Sequence, residues 1–319
     1  MSSKTNIRVK WTAPAMQEVR AIREEEERKR LRPSRLNDRS FARLLPNRLR
    51  NGNKGTFGKA LIVAGSRNMA GAAILSARAA LSSGCGMVMV LTDECNRVIL
   101  QTAVPEAILA TYDGQVDEEV VQNAMDWATC MLIGPGLSMN DTSKYLVDFV
   151  LDMPTSKPIV VDADALNILS EEANTNRLAE KSVIVTPHVG EMGRLVGLPV
   201  SEIHSHMIET AEAFSTHHGV TVVLKDAVSV ISSPGRRTFE NHSGNSGMAT
   251  AGSGDVLAGL IVGLLAQGMK NPDAAILGAY MHGRAGDFAA EEKTEYCMMA
   301  SDIIRHFPKV FALAGKRDR

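Results

Sequence analysis

Asn245-Ser-Gly-Met-Ala-Thr-Ala-Gly-Ser-Gly-Asp255 is a run of small residues that leads straight into the apolar stretch Val256–Leu265. Glycine-rich backbone can turn several N–H groups inward, and a buried helix behind it adds partial positive charge at its start. Together they make an anion cradle. Asp255 sets one carboxylate at the mouth of that cradle. A negative charge beside a phosphate is unfavourable unless the chemistry needs a base, so Asp255 is the candidate general base; the other reading is a helix N-cap, a position Asp favours.

Four smaller clusters accompany it. Asp162-Ala-Asp164 offers two carboxylates that can orient a hydroxyl or hold Mg2+ through water, or cap a helix starting at Asp164. His188 follows Pro187, with Glu191 three residues on, and reads either as a hydrogen-bonding group toward a ligand or as a core or surface histidine. Lys225 ends the apolar run Val222-Val-Leu224 and supplies a cation for a phosphate, or is an edge-strand lysine. Gly134-Pro-Gly136 lets backbone approach a ligand, or simply turns the chain. Gly65 to Gly71 has neither the glycine order of a dinucleotide fold nor the lysine of a P-loop. His204, His206, His217 and His218 receive no function, and no set of residues is assigned as metal ligands.

These residues need a scaffold that brings loops together, and the pattern supplies one. Short apolar runs at Lys59–Ala64, Gly86–Leu91, Ala107–Ala110, Cys130–Ile133, Pro158–Asp162 and Val183–Thr186 alternate with helical stretches. Helices are expected at Ala70–Ser83, Glu94–Thr102, Val116–Trp127, Lys144–Leu151, Val189–Val196, Glu202–His217, Val256–Gln267, Ala274–Ala290 and Ala300–Leu313. Val220–Lys225 and Val228–Ile231 lie close enough for a hairpin. The fold class is α/β: a mainly parallel central sheet with helices on both faces and an antiparallel edge. Such sheets bind ligands beyond the carboxyl ends of their strands, where nearly every cluster above falls.

Net charge over the 319 residues is −1, which gives no reason to expect nucleic acid, while the first fifty residues carry +8. Residues 1–42 read as a charged arm with a helix at Ala15–Leu31, and residues 43–319 as the α/β domain. Cys85, Cys95, Cys130 and Cys297 show no metal spacing, which suits a reducing compartment. No apolar run is long enough to span a membrane, and the acidic run Glu24–Glu27 argues against a transit peptide. A cytoplasmic protein is expected.

Taken together, the turns resemble the ADP- or ATP-dependent NAD(P)H-hydrate dehydratases, whose fold is ribokinase-like. The resemblance covers about residues 43 to 315 and rests on six pieces in order. These are Leu44-Leu-Pro-Asn-Arg48 with Lys54-Gly-Thr-Phe-Gly-Lys59, Gly65-Ser66 with Gly71-Ala72, and Gly134-Pro-Gly-Leu137. Asp162-Ala-Asp-Ala-Leu166, Thr186-Pro-His-Val-Gly-Glu-Met192 with Lys225, and Asn245 to Gly259 follow. The resemblance implies a repair enzyme for NADH or NADPH hydrated across the nicotinamide C5–C6 bond, acting on the S-epimer. A nucleotide phosphoryl group passes to the C6 hydroxyl, and loss of phosphate restores the reduced cofactor. It implies Asp255 as base; Lys225, Asp226, Ala227, Val228 and Ser229 on the nucleotide; and Asn245, Ser246, Gly247, Met248, Ala249, Thr250, Ala251, Gly252, Ser253 and Gly254 on the nucleotide too. Ala72, Gly136 and His188, with Asp255, line the hydrated-cofactor site. Amides of Ala251 to Gly254 stabilise charge on the moving phosphoryl group. The Thr-Pro-His-x-Gly-Glu form favours ADP over ATP as donor, with Mg2+ accompanying it.

Three positions depart from the pattern: Asp226 stands for a Gly, Asn53 for a His and Ala251 for a Gly. Bifunctional members place an epimerase domain first, and the short arm here predicts an epimerase on a separate chain; a homo-oligomer is expected. Two rivals remain: a small-molecule kinase of the same fold acting on a vitamin-precursor alcohol, and a non-catalytic nucleotide-binding sensor.

Overall fold

Nine strands form one sheet in the order β3-β2-β1-β4-β5-β6-β7-β8-β9 in the computed structural model, which describes residues 34–171 and 174–315. They are β1 Lys59–Val63, β2 Met87–Asp93, β3 Ile108–Tyr112, β4 Cys130–Ile133, β5 Ile159–Val161, β6 Val183–Val185, β7 Thr221–Leu224, β8 Ser229–Ser232 and β9 Phe239–Asn241. Pairings from β3 through β7 are parallel, and β8 and β9 are added antiparallel. The mainly parallel α/β sheet with an antiparallel edge is therefore present. The edge carries one strand more than expected, because Phe-Glu-Asn is too short and too polar in the middle to read as a strand.

Alternate residues of the strands feed two cores, as a sheet covered on both faces requires. Ala60, Ile62, Val88, Val90, Cys130 and Leu132 face one core, completed by the helices Ala70–Ser82, Ser253–Ala266, Asn271–Cys297 and Ala300–Gly315. Leu61, Val63, Met131, Ile133, Val161 and Val185 face the other, under Glu118–Trp127, Asp141–Asp152, Asp164–Glu171, Val189–Val196 and Met207–His218. The stretch expected as one helix from Glu202 to His217 is two, Val200–Ser205 and Met207–His218, because His206 sits between them with φ −139°. The long Asn271–Cys297 helix carries Pro in its first turn and breaks near its end at Thr294, where φ is 66°.

Residues 34–42 lie against the domain. Ser34 bridges to Phe239, and Phe41 is fully buried with its ring 5.4 Å from that of Tyr280. The helix expected over Ala15–Leu31 lies outside the described residues. Among the described residues, no helix is long and apolar enough to cross a membrane.

The Ser253–Ala266 helix is buried along nearly its whole length, which explains why it is apolar all round rather than on one face. Glycines let it lie tightly on the Ala70–Ser82 helix. A Cβ at Gly259 would stand 2.2 Å from the Ser76 carbonyl oxygen, and one at Gly263 would stand 2.7 Å from that of Ala80. Gly259→Val is expected to lower stability by about 3 kcal/mol through overpacking against backbone. Urea unfolding checks this, and an unchanged midpoint would refute the close-packing account.

Candidate active site

Seven parallel strands end on one edge of the sheet, and five of them, β1, β4, β5, β6 and β7, hand over the turns that carry the candidate residues. The chain runs β1, β2, β3 in one direction and then returns to place β4 on the other side of β1. That reversal makes the carboxyl ends of β1 and β4 the topological switch point, the place where open α/β sheets take ligands. Gly65 N–H donates to the Pro135 carbonyl at 2.9 Å, which ties the two turns together. Gly136 has φ +60°, and a Cβ there would stand 2.8 Å from the Ala72 Cβ, so these two residues touch at the switch point.

Asp162 follows β5 and Lys225 follows β7. The Lys225 Nζ donates to Asp162 Oδ1 at 2.9 Å, reaching past the end of the intervening β6. The Asp162 side chain is 1% exposed and that of Lys225 19%. Burial opposes the charge on Lys225, yet Asp162, Glu191 and Asp255 outweigh it and raise the lysine pKa, so the ammonium persists. The edge-strand reading of Lys225 fails, since β7 lies between β6 and β8.

The buried helix points its first turn at this pair. A Cβ on Gly254 would lie 3.4 Å from Lys225 Nζ and 4.0 Å from Asp162 Oδ2. Asp255 is the third helical residue, and Gly252, with φ 89°, holds the N-cap position, so Asp255 is not the cap. Its carboxyl is pushed up to about 7, first by burial and then by the charge of Asp162, with Lys225 pulling it down and Asp164 adding to the rise. A carboxyl with a pKa near neutrality exchanges its proton readily near physiological pH, which suits a general base.

Asp164 does not face Asp255 as a second free carboxylate. Its Oδ2 accepts the Ser138 N–H at 2.7 Å and thereby pins the Gly134-Pro-Gly136 turn, while the residue itself starts the Asp164–Glu171 helix. No group of three or more potential ligands that could hold a metal occurs among the described residues. The set does suit Mg2+ carried in by phosphates, which needs one or two carboxylates at most, and the second oxygen of Asp162 faces Gly254.

His188 is the N-cap of the Val189–Val196 helix. Its Nδ1 accepts the Gly190 N–H at 2.9 Å and the Glu191 N–H at 3.3 Å, while Glu191 Oε2 accepts the His188 N–H at 2.8 Å. This closes a capping box and fixes the neutral tautomer with the proton on Nε2. Burial, then the charges of Lys225 and Arg194, lowers the histidine pKa. The ring remains half exposed, with Nε2 3.4 Å from Glu191 Oε1. The sequence offered His188 a ligand or a core role; the structure adds the cap, which the Thr-Pro-His-x-Gly-Glu spacing encodes.

The loop before the helix leans on other elements. Asn245 Oδ1 accepts the Gly247 N–H at 3.1 Å, and a Cβ on Gly247 would stand 2.6 Å from the Glu295 carbonyl oxygen. Met248 packs on Gly286, Ser246 donates to Glu295, and Ser253 Oγ lies 3.4 Å from His282 Nε2. Ala249, Thr250 and Ala251 complete the loop, with Ala249 and Ala251 exposed and Thr250 half-buried. A cavity of about 930 Å³ opens beside Asn245 and Ser246, walled by Asp287, Glu291 and Glu295. Asp226 turns to His204, whose Nε2 lies 3.1 Å from its Oδ2, and accepts Ser229 Oγ–H on its backbone carbonyl; Ala227 and Val228 complete that hairpin turn. The structure thus brings together Asp255, Gly254, Lys225 and Asp162, and separately Ala72 and Gly136. Asp287 and Arg284 belong to the setting of the loop and had no sequence signal, because charges within a helix look like a solvated face.

Comparison with known proteins adds an independent line. A family model described as NAD(P)H-hydrate dehydratase matches residues 60–309. A bifunctional NAD(P)H-hydrate repair enzyme from Moorella thermoacetica is 38% identical over 83% of the chain, and the chain spans 51% of that protein's length. An ADP-dependent (S)-NAD(P)H-hydrate dehydratase from Neisseria meningitidis is 40% identical, the match covering 79% of this chain and 83% of that one. Among solved structures, an ADP/ATP-dependent NAD(P)H-hydrate dehydratase from Bacillus subtilis, co-crystallized with ATP/Mg2+, superposes with TM-score 0.75 at 29% identity, covering 89% of this chain and 99% of that chain. The ribokinase-like fold is shared with such neighbours.

Proposed function

This chain belongs to the NAD(P)H-hydrate dehydratase family, and from that premise we propose that it restores NADH or NADPH from the S-epimer of the hydrated cofactor, with ADP favoured over ATP as phosphoryl donor. The observation that carries the reading is Asp255: a partly exposed carboxyl with its pKa raised to about 7, in the first turn of a buried helix and beside a retained lysine cation.

In this reading the hydrated nicotinamide sits at the switch point between β1 and β4, over Ala72 and Gly136, with His188 at its side. Asp255 takes the C6 hydroxyl proton as that oxygen forms its bond to the terminal phosphorus of the nucleotide, and AMP leaves when the donor is ADP. The amides of Ala251, Gly252, Ser253 and Gly254, and the Lys225 ammonium, offset the charge on the moving phosphoryl group. Cleavage of the C6–O bond then expels phosphate, and loss of the C5 proton restores the double bond. Mg2+ bound with the nucleotide would neutralise phosphate charge, held through water by Asp162. Neutral His188 donates from Nε2 to an acceptor on the substrate. The ADP-dependent name of the Neisseria relative supports the donor, and the ATP/Mg2+ in the Bacillus structure keeps ATP as the second choice.

The test is an assay of the purified chain with hydrated NADH and either ADP or ATP. Reduced-nicotinamide absorbance is expected to return with both, faster with ADP, with one phosphate released per cofactor restored. Nucleotide consumption with a vitamin-precursor alcohol and no recovery of absorbance would establish the kinase reading instead. Nucleotide binding without turnover of either would leave the sensor.

A further inference from the structure

Residues just ahead of the first strand reach the nucleotide loop through a chain of charged groups. Asp38 accepts two hydrogen bonds from Arg284, at 3.0 Å from Nε and 3.2 Å from Nη2, and a third from the Tyr280 hydroxyl. The remaining edge of the guanidinium donates from Nη1 to Asp287 Oδ2 at 2.9 Å. The other oxygen of Asp287 accepts the Gly244 N–H at 3.1 Å and the Asn245 side-chain amide at 3.4 Å. Arg284 also lies over the Phe288 ring, 4.9 Å from its centroid, which holds the guanidinium plane. Each member therefore fixes the plane of the next, from Asp38 to Arg284 to Asp287 to Asn245.

Isolated surface ion pairs contribute little, but a bidentate carboxylate–guanidinium pair carries direction as well as charge. Gly244 has φ +109°, a region that glycine enters freely, so the loop entry has low intrinsic rigidity and takes its orientation from outside contacts. Phe41 anchors the Asp38 segment in the core, and Ser34 pairs with Phe239, so the first member of the chain is itself well seated.

We propose that Asp38 is a positioning residue for nucleotide binding, acting through Arg284 and Asp287 to orient the Asn245 amide and the entry of the anion loop. The inference rests on the nucleotide role given to that loop above. It assigns residues before the α/β domain a part in donor affinity and none in the proton transfer at Asp255. Removing one carboxylate oxygen at Asp38 frees half of the guanidinium edge. Arg284 then competes for the Asp287 oxygen that the loop uses, and the loop loses its fixed partner.

The experiment is titration of the full-length chain with ADP and with ATP by calorimetry, beside steady-state assays. Asp38→Asn is expected to weaken ADP binding by about tenfold, a coupling effect of ordinary size, with kcat at saturating ADP and KM for the hydrated cofactor within about twofold. In an Asp287→Asn background the same substitution is expected to add less than about twofold, because the path is already cut. Asp38→Glu, which keeps the carboxylate, is expected to recover part of the affinity, and circular dichroism confirms folding of each variant. Unchanged ADP affinity in Asp38→Asn overturns the relay while leaving the proposed reaction intact. Equal losses in both backgrounds, or equal rises in KM for nucleotide and hydrated cofactor, also overturn it. A wild-type chain that binds neither ADP nor ATP overturns the functional reading together with the relay.

Discussion

Asp255→Asn is expected to lower kcat/KM for the hydrated cofactor by about 10³-fold while leaving nucleotide affinity within a few-fold, the loss that follows removal of a positioned general base. The wild-type kcat/KM should rise with pH along a limb centred on about 7, because the carboxyl works only when unprotonated and burial has raised it there. The variant should lose that limb. Turnover at the wild-type rate would remove Asp255 from the mechanism. Stability gives a second readout. Folding raises the pKa of Asp255 from its ordinary value of 3.8 to about 7, so between those values the folded chain holds a proton that the unfolded chain releases. Stability therefore falls as pH rises through that window. Asp255→Asn relieves the penalty, with an expected gain of about 2 kcal/mol at pH 8 and less at pH 5. Urea unfolding at the two pH values checks the sign; an equal effect at both would contradict the raised pKa.

Lys225→Met carries the second large effect. It removes the cation proposed to meet the phosphate and leaves Asp162, 1% exposed, with its charge unpaired. A fall of about 10²-fold in kcat/KM is expected, together with roughly 3 kcal/mol of lost stability. The two carboxylates are coupled through this lysine, which gives the experiment a direction as well as a size. Lys225 pulls the Asp255 pKa down and Asp162 pushes it up. The rising limb of the rate profile should move to higher pH in Lys225→Met and to lower pH in Asp162→Asn. The double variant should regain much of the stability, since no buried charge is stranded, and little of the rate. Limbs that fail to move, or move together, would separate this pair from the base.

Much of this arrangement could be read from residue order because the fold concentrates chemistry where strands end. Apolar runs located eight strands to within a residue or two, and the turns singled out after β1, β4, β5, β6 and β7 lie on one edge of the sheet. Asp255 stood out because a glycine-rich loop met an apolar helix, a combination whose physics is local. The misreadings share the opposite property. Phe239–Asn241 is a strand only because β8 and Ser34 are there to pair with it. Of the two readings left open for Asp164, the structure shows the helix start, and its Oδ2 accepts the N–H of Ser138, twenty-six residues away, a link that spacing does not reveal. Asp226, opposed to His204, and the links through Arg284 and Asp287 join segments far apart in the chain, which composition and spacing do not reveal. His188 was legible as important and illegible in kind, since one histidine can cap a helix with Nδ1 and still present Nε2.

The contact between the Ala70–Ser82 and Ser253–Ala266 helices has a consequence for how such an enzyme can vary. One helix begins beside Ala72, where the acceptor is expected, and the other begins beside Asp255, where the donor is expected; Ser76 Oγ–H donates to the Asp255 carbonyl at 3.1 Å between them. Glycines at Gly259 and Gly263 hold the two rods at a spacing with no slack. In the proposed reaction the gap between acceptor oxygen and donor phosphorus would be set by this helix contact rather than by domain closure. On the proposed reading, a chain built this way is expected to change its nucleotide preference through its loops and to reject a longer acceptor, because the helix pair leaves no room to open wider.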